Sequence, residues 1–341
     1  MDILLALILL VVSILAAVIP AVVYSLAVWW LDRYEKEPWG LLAVTFIWGA
    51  MPAVFLALVA EVLFGIPFSA VFGEAVEQVI QGSAVAPIVE EVIKGLAVLF
   101  VFLIFRAEFD GPLDGIVYGA LVGFGFGMTE NIFYFLGGFA EGGAARWVMV
   151  IFIRTFLFGL NHGLFTSITG LGFGYASIAD TARKRWLAPP LALGGAIMVH
   201  AVHNTFTGLA VELCWPILIS VVSDWGGVIV IALMVFLTWD REKRWIVREL
   251  KTEIDEGIIS PADYEIVGSY SRRVAAQWSA LSKHGLRQAL IVRKLHQLTT
   301  ELAFKKHRRR TLGDTGRAEA EIASLREKIR DLRAQVIGQS Y

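Results

Sequence analysis

Long apolar runs separated by short polar breaks fill residues 1–239, and residues 240–341 switch to apolar positions interleaved with charges. A helix needs ~20 mostly apolar residues to cross a bilayer. By that measure the runs predict seven spans, at about residues 3–30, 40–62, 84–105, 113–137, 147–179, 189–212 and 214–239. The fifth is overlong for one crossing, which allows a tilted, broken or protruding helix. The seventh contains Asp224, Trp225, Gly226 and Gly227, so part of it can be read instead as an outer interfacial segment. The pattern therefore predicts an all-α, polytopic transmembrane helix bundle (residues 1–239) followed by a mostly helical C-terminal extension (residues 240–341).

Within that extension Ile322, Leu325, Ile329, Leu332 and Val336 recur at alternating spacings of three and four. Such spacing makes an a/d-like seam, under three heptads long, which would allow a homodimer. Leu286, Leu290, Leu295, Leu298 and Leu302 form a looser second stripe, and residues 305–310 read KKHRRR.

Composition agrees with a membrane protein. Of 341 residues, 57% are hydrophobic and 18% charged, against about 25% charged in soluble domains. Mean hydropathy is +0.65. These values exclude a soluble globular enzyme and a disordered chain, and the single cysteine, Cys214, excludes a disulfide scaffold.

The net charge of −1 hides an asymmetry: residues 1–239 carry 9 Lys/Arg and 17 Asp/Glu, and residues 240–341 carry 21 and 14. The loops at 31–39, 106–112 and 180–188 hold Arg33, Lys36, Arg106, Arg183, Lys184 and Arg185, whereas those at 63–83, 138–146 and 213 hold only Arg146. Basic loops stay in the cytoplasm. The basic extension is then cytoplasmic and the N-terminus outside. A chain beginning Met1, Asp2 has no basic leader, so no cleaved signal peptide is expected. A basic tail also suits anionic lipid or nucleic acid, but no nucleic-acid-binding signature accompanies it, so no nucleic-acid partner is expected.

The candidate chemistry lies in ionisable residues inside the spans: Glu90, Glu91, Lys94, Glu130 and Arg154, with His162, His200 and His203. Each charge at mid-bilayer costs ~2.5–3.5 kcal/mol on insertion scales. Glu90 and Glu91 are about 100° apart on a helix, with Lys94 one turn on, so one carboxylate can pair with the lysine and leave the other free. A buried ion pair that only locks helices is the competing reading. Gly119, Gly123 and Gly127 recur every four residues before Glu130 and Asn131, a spacing that lets helices approach closely. His200, His203 and Asn204 share one face of their helix. Counting 1.5 Å per residue places Glu90, Glu91 and Glu130 roughly 10 Å from the outer ends of their spans, and His162 and His200 roughly 15–25 Å deep. One cluster in the outer-to-middle bilayer is compatible with that arithmetic.

Two histidines and a carboxylate can hold Zn²⁺ with one position open for water, and His162, His200 and Glu130 are the candidate ligands. A further carboxylate, Glu90 or Glu91, would act as general base, and Asn204 would donate to a developing oxyanion. A metal-free version has a glutamate activate water directly. The sequence contains no HExxH and no GxSxG.

At these residues the sequence resembles the PrsW family of intramembrane proteases and, more distantly, the CAAX-protease and bacteriocin-processing superfamily. The matching segments are EEVIK at 90–94, FGMTEN at 126–131, HGLFTSITGLGFG at 162–174 and HAVHN at 200–204; LDRYEKEPWG at 31–40 looks like the family's first cytoplasmic loop. The resemblance implies an active site of Glu90, Glu91, Glu130, His162, His200 and Asn204, a bacterial or archaeal cell membrane, and a membrane-protein substrate in the lipid bilayer. In the namesake branch that substrate is an anti-sigma factor. The alternative function is an ion- or proton-coupled transporter using the same Glu/Lys/His cluster, although the two halves show no clear repeat of the kind transporters often carry.

Overall fold

The computed structural model describes residues 3–34, 36–72, 79–313 and 316–336. Glu35 of the 31–40 segment and residues 73–78 of the loop at 63–83 lie outside the described residues. The described residues are almost wholly helical, with no strand among them. The chain divides into two compact units. The first runs to Leu31 and resumes over Glu37–Met234; the second joins Asp32–Lys36 to the chain from Val235 on.

In the first unit, α1 (Ile3–Leu31) buries Leu9, Ser13, Ala17 and Ala21. That four-residue spacing is a single narrow stripe. Most other α1 side chains are exposed and apolar, as lipid requires. Trp147 Nε1 donates to Ser13 Oγ at 3.0 Å and Tyr24 Oη to the Thr155 carbonyl at 2.7 Å, tying α1 to the bundle. Helix α2 (Trp39–Trp48) passes through a π-helical turn, Gly49–Ala53, into α3 (Val54–Phe72). Pro52 sits in that turn, where its missing amide hydrogen interrupts the regular ladder. A second π turn, Gln81–Val85, leads into α4 (Ala86–Ile104), which buries Glu90, Glu91 and Lys94.

Helix α5 (Pro112–Phe152) starts where Asp114 Oδ2 accepts from the Asp110 and Gly111 amides at 2.6 and 2.7 Å. Near its end Gly142 and Gly143 leave helical geometry, Gly143 at φ 66°, a conformation that favours glycine. A π turn at Ile153–Leu157 follows, then α6 (Asn161–Ser177), α7 (Ala182–Leu209) and α8 (Ile217–Asp255), whose residues 217–234 belong to this unit.

The stripe of glycines on α5 runs against α6 with backbone touching backbone. A Cβ on Gly115, Gly119 or Gly123 would strike the carbonyl oxygens of Gly170, Thr166 and His162 respectively. One turn later a Cβ on Gly127 would lie 2.9 Å from His162 Cδ2. The seam therefore fixes His162 against α5, where Glu130 projects one turn beyond Gly127.

Five helical segments are long and apolar enough to cross a membrane: Ile3–Leu31, Trp39–Leu63, Pro112–Ser177, Ala182–Leu209 and Ile217–Asp255. Pro112–Ser177 spans 66 residues and contains both the 113–137 and the 147–179 runs, with the Gly142–Gly143 break between them. Helix α4 covers most of the 84–105 run but concentrates Glu90, Glu91 and Lys94 in 19 residues. The protein is an integral membrane protein.

The second unit packs residues 235–255 of α8 with α9 (Pro261–Val267), α10 (Tyr270–Leu312) and α11 (Gly316–Arg333). Ser260 caps α9: its Oγ accepts from the Asp263 amide at 3.0 Å, and Asp263 Oδ2 accepts from the Ser260 amide at 3.0 Å. Helix α10 kinks at Gly285, φ 81°. Leu286 and Leu290, just beyond the kink, are exposed, whereas Leu295, Leu298 and Leu302 are buried, so only the second half of that leucine stripe enters the core. Ile322, Leu325 and Ile329 are also buried within the unit. The seam is occupied by its own chain. The basic run is likewise engaged internally: Lys306 pairs with Glu253, Arg310 with Glu249 at 2.8 Å, Arg309 with Glu319 and Lys305 with Glu321 at 3.9 Å. Arg326 adds a second hydrogen-bonded cation to the buried Glu253 at 2.7 Å.

Two predictions follow from this packing. Gly123→Ala should destabilise detergent-purified protein by at least the ~1–3 kcal/mol of an overpacked core, seen as a lowered thermal midpoint, while Gly137→Ala, whose Cβ meets nothing within 4 Å, should melt like wild type. The second concerns His296, which is 1% exposed with neither ring nitrogen hydrogen-bonded among the described residues. Burial, aided by Arg273, lowers its pKa to about 4. An unfolded chain with histidine near 6.5 then binds the proton first, so the unit's stability is full above about pH 6.5 and falls as pH drops toward 4, by roughly 3 kcal/mol. Chemical denaturation of the full chain at pH 7 and pH 4.5 should show this loss, and His296→Leu should shrink it.

Candidate active site

Four helices meet at one buried polar cluster. Glu90, Glu91 and Lys94 come from α4, Glu130 from α5, His162 from the first turn of α6 and His200 from α7. Lys94 Nζ lies 2.5 Å from Glu91 Oε1 and 3.3 Å from Glu90 Oε2, and it also donates to His162 Nδ1 at 3.3 Å. An ammonium has no lone pair, so that contact fixes the tautomer: His162 Nδ1 is the acceptor and Nε2 carries the hydrogen. Nε2–H donates to Glu130 Oε2 at 2.7 Å.

His200 is held in the mirrored way. Its Nδ1 donates to Glu91 Oε1 at 3.0 Å, which turns Nε2 toward Glu90 Oε2, 4.0 Å away. Glu90 Oε2 is 3.9 Å from His162 Nδ1. One nitrogen of each imidazole and one carboxylate oxygen thus lie within 4.8 Å of one another; a metal held there would replace Lys94 as the partner of His162 Nδ1. Each imidazole is aimed by a carboxylate on its far nitrogen, the arrangement that orients histidine ligands in metal sites.

The three carboxylates have different surroundings. Glu91 is fully buried, and both its oxygens are engaged, Oε1 by Lys94 and His200 and Oε2 by Thr166 Oγ1 at 3.1 Å. Glu90 is 6% exposed and Glu130 20%. Glu130 Oε2 also accepts from Arg154, whose Nε donates to Asn131 Oδ1 at 2.6 Å and whose guanidinium lies over the Tyr134 ring, 3.7 Å from its centroid. Three carboxyl groups, Glu90, Glu91 and Glu130, face two cations, Lys94 and Arg154. The donor chemistry suits a metal ion at the point where Glu90, His162 and His200 converge, against the repulsion of Lys94 Nζ, 3.3 Å from both Glu90 Oε2 and His162 Nδ1.

Five of the six residues singled out from the sequence motifs are brought together. Glu130 stands behind His162, on the imidazole's far nitrogen, and Glu90 supplies the carboxylate oxygen nearest both lone pairs. Asn204 lies a turn beyond His200 and donates to the Gly82 carbonyl at 3.0 Å, in the π turn that precedes α4. Sequence reasoning missed Thr166, which lies inside the matched 162–174 segment, and Asn161, directly before His162. His203 does not join the cluster through its ring nitrogens: its Nδ1 is 2.7 Å from Asp224 Oδ2, and the Phe165 ring stacks on His200, 4.6 Å between centroids.

Carboxylates and imidazoles gathered among membrane-spanning helices are the equipment of an intramembrane hydrolase. Residues 37–239 match the model of the PrsW family intramembrane metalloproteases, and the chain belongs to that family. It is 32% identical to Protease PrsW of Geobacillus kaustophilus over 178 residues, covering 51% of this chain and 69% of that protein. It is 28% identical to Protease PrsW of Bacillus subtilis over 217 residues, 61% of this chain and 82% of that protein. No solved structure matches the chain significantly. The protein is an intramembrane peptidase acting on membrane proteins within the bilayer, and the family does not favour the transporter reading.

The unequal environments of Glu90 and Glu91 predict unequal effects of substitution. Glu91→Ala removes the nearest partner of Lys94 and leaves the His200 N–H and the Thr166 hydroxyl without their buried acceptor, a loss of ~3–5 kcal/mol for a broken buried pair. Glu90→Gln keeps the shape and leaves Glu91 to hold the lysine. Thermal unfolding in one detergent should therefore show Glu91→Ala far below wild type and Glu90→Gln close to it.

Proposed function

We propose that the protein hydrolyses a peptide bond of a membrane-protein substrate at a zinc site formed by His162 Nδ1, His200 Nε2 and Glu90. The observation that carries this reading is the convergence of those donors within 4.8 Å, with Glu130 and Glu91 aiming the two imidazoles. Zinc is the metal that two imidazoles and a carboxylate suit, with a position left for water. When bound, it would polarise water and the scissile carbonyl as a Lewis acid.

The chain's own residues would do the rest. Glu90 faces the imidazoles with Oε2, and its Oε1 accepts the proton that the attacking water gives up. The same carboxyl group then returns that proton to the leaving amine. Glu91 and Glu130 keep the imidazoles in the tautomers that point their lone pairs inward. Lys94, held on Glu91, offsets charge beside the reacting centre. Asn204 is a donor for the oxyanion once a substrate carbonyl replaces Gly82 as its acceptor.

The topology we propose is seven crossings, with the N-terminus outside, residues 1–239 as the protease portion and residues 240–341 in the cytoplasm of a bacterial or archaeal cell. The support is the excess of Lys/Arg in the loops at 31–39, 106–112 and 180–188. An anti-sigma factor is the substrate that the family resemblance implies. Homodimerisation through the 322–336 seam would require Ile322, Leu325 and Ile329 to leave the core they fill.

The test uses proteoliposomes of the full chain with a panel of single-span substrates, anti-sigma factors included, beside elemental mass spectrometry. Wild type should cleave and carry near-stoichiometric zinc. His162→Ala/His200→Ala should lose both metal and cleavage. Glu90→Gln should slow cleavage at least ~100-fold. A cleaving wild type that holds no metal and ignores chelators would replace this reading with direct activation of water by a glutamate.

A further inference from the structure

Helix α8 carries one carboxylate in an otherwise apolar stretch, and it does not belong to the cluster above. Asp224 is 1% exposed, while Val222 and Trp225 on the same helix are 73% and 41% exposed. Its side chain is therefore turned into the bundle. A carboxylate in that position carries a standing insertion cost, and something inside must hold it.

Two donors hold it, and both sit beside the proposed zinc ligands. Asn161 Nδ2 donates to Asp224 Oδ2 at 3.0 Å, and His203 Nδ1 approaches the same oxygen at 2.7 Å. Asn161 precedes His162 in the chain and opens α6. His203 lies three residues after His200 on α7, on the same face. One oxygen of one residue thus grips the neighbours of both histidines.

The grip is reinforced around it. Ser220 Oγ donates to the His203 carbonyl at 3.2 Å and Trp225 Nε1 to the Leu157 carbonyl at 3.1 Å, ahead of α6. A Cβ on Gly227 would come within 2.8 Å of Leu164 Cδ2, so α8 lies close on α6 here. The Phe165 ring contacts both His200 and His203, at centroid distances of 4.6 and 5.9 Å.

We propose that Asp224 is a positioning residue. Through Asn161 and His203 it sets the spacing of the start of α6 and the last third of α7, and so the distance between the ligand nitrogens of His162 and His200. The proposal rests on the zinc reading above for its first readout. It differs from a general packing role because its two partners flank the two histidines, Asn161 directly before His162 and His203 one turn after His200.

The experiment measures the zinc dissociation constant of the full chain in detergent, by competition with a chromophoric chelator. Asp224→Ala should weaken zinc binding ~10–100-fold, the usual cost of losing a group that orients metal ligands. Asp224→Asn keeps an acceptor oxygen for both donors and should restore affinity to within a few-fold of wild type. If Asp224→Ala does not fold, Asn161→Ala and His203→Phe each remove one of the two bonds and should each weaken zinc binding. A residue that only stabilised the bundle would lower the melting temperature of these variants and leave zinc affinity unchanged. Unchanged affinity in folded Asp224→Ala, or in both single-bond variants, would overturn the proposal. If wild type itself binds no zinc, the metal reading fails separately, and the proposal is then judged on cleavage. Loss of position lowers kcat with KM held, rescued by Asp224→Asn, whereas unaltered kcat would overturn it.

Discussion

A lysine ammonium buried among carboxylates is the contact on which the rest of this membrane unit depends. Lys94 reaches Glu90, Glu91 and His162 at once, and no water in the bilayer core would solvate it otherwise. Removing its negative partners would leave a charge in a low-dielectric interior, and removing the lysine would leave two adjacent glutamates facing each other. The pairing therefore dictates which face of α4 turns inward. Once that face is set, Glu91 is committed to the lysine and His200, and Glu90 is the one presented to both imidazoles. The difference between two neighbouring glutamates arises from 100° of helix rotation.

Much of this was legible in the sequence because charges in lipid are expensive and so stand out. The spacing of Glu90, Glu91 and Lys94 announced an intrahelical pair, and the glycines before Glu130 announced a close helix contact. What could not be read was the rotation of each helix about its own axis relative to its neighbours. That rotation decides that Glu130 sits on the outer nitrogen of His162, that Thr166 closes the hydrogen bonding of Glu91, and that Asn204 faces Gly82. Asp224 was visible as an interruption in an apolar run. Its inward orientation came only from packing, because a lone carboxylate among glycines and tryptophan reads equally well as an interfacial feature.

The C-terminal unit makes the same point with charges reversed in role. Its apolar spacing predicted a seam, and the spacing is real, but spacing does not specify whether the partner is a second chain or the same one. Here Ile322, Leu325 and Ile329 fill their own unit. Its run of five basic residues and a histidine is bound by acidic side chains, most firmly at Glu253, which accepts from Lys306 and Arg326. A charge run counted along the chain overstates the positive surface that folding leaves exposed.

The glycine seam between α5 and α6 also has a consequence for traffic. Where peptide backbones touch, nothing can pass between the helices, and sliding one along the other would drive carbonyls into each other. That wall is shut by covalent geometry rather than by movable side chains. Along this seam the polar side chains open above Gly127, where Glu130, Arg154 and His162 keep 20%, 22% and 14% of their side chains exposed. A polypeptide reaching Glu90 from that side would have to pass the guanidinium of Arg154, which lies over the Tyr134 ring and holds Glu130.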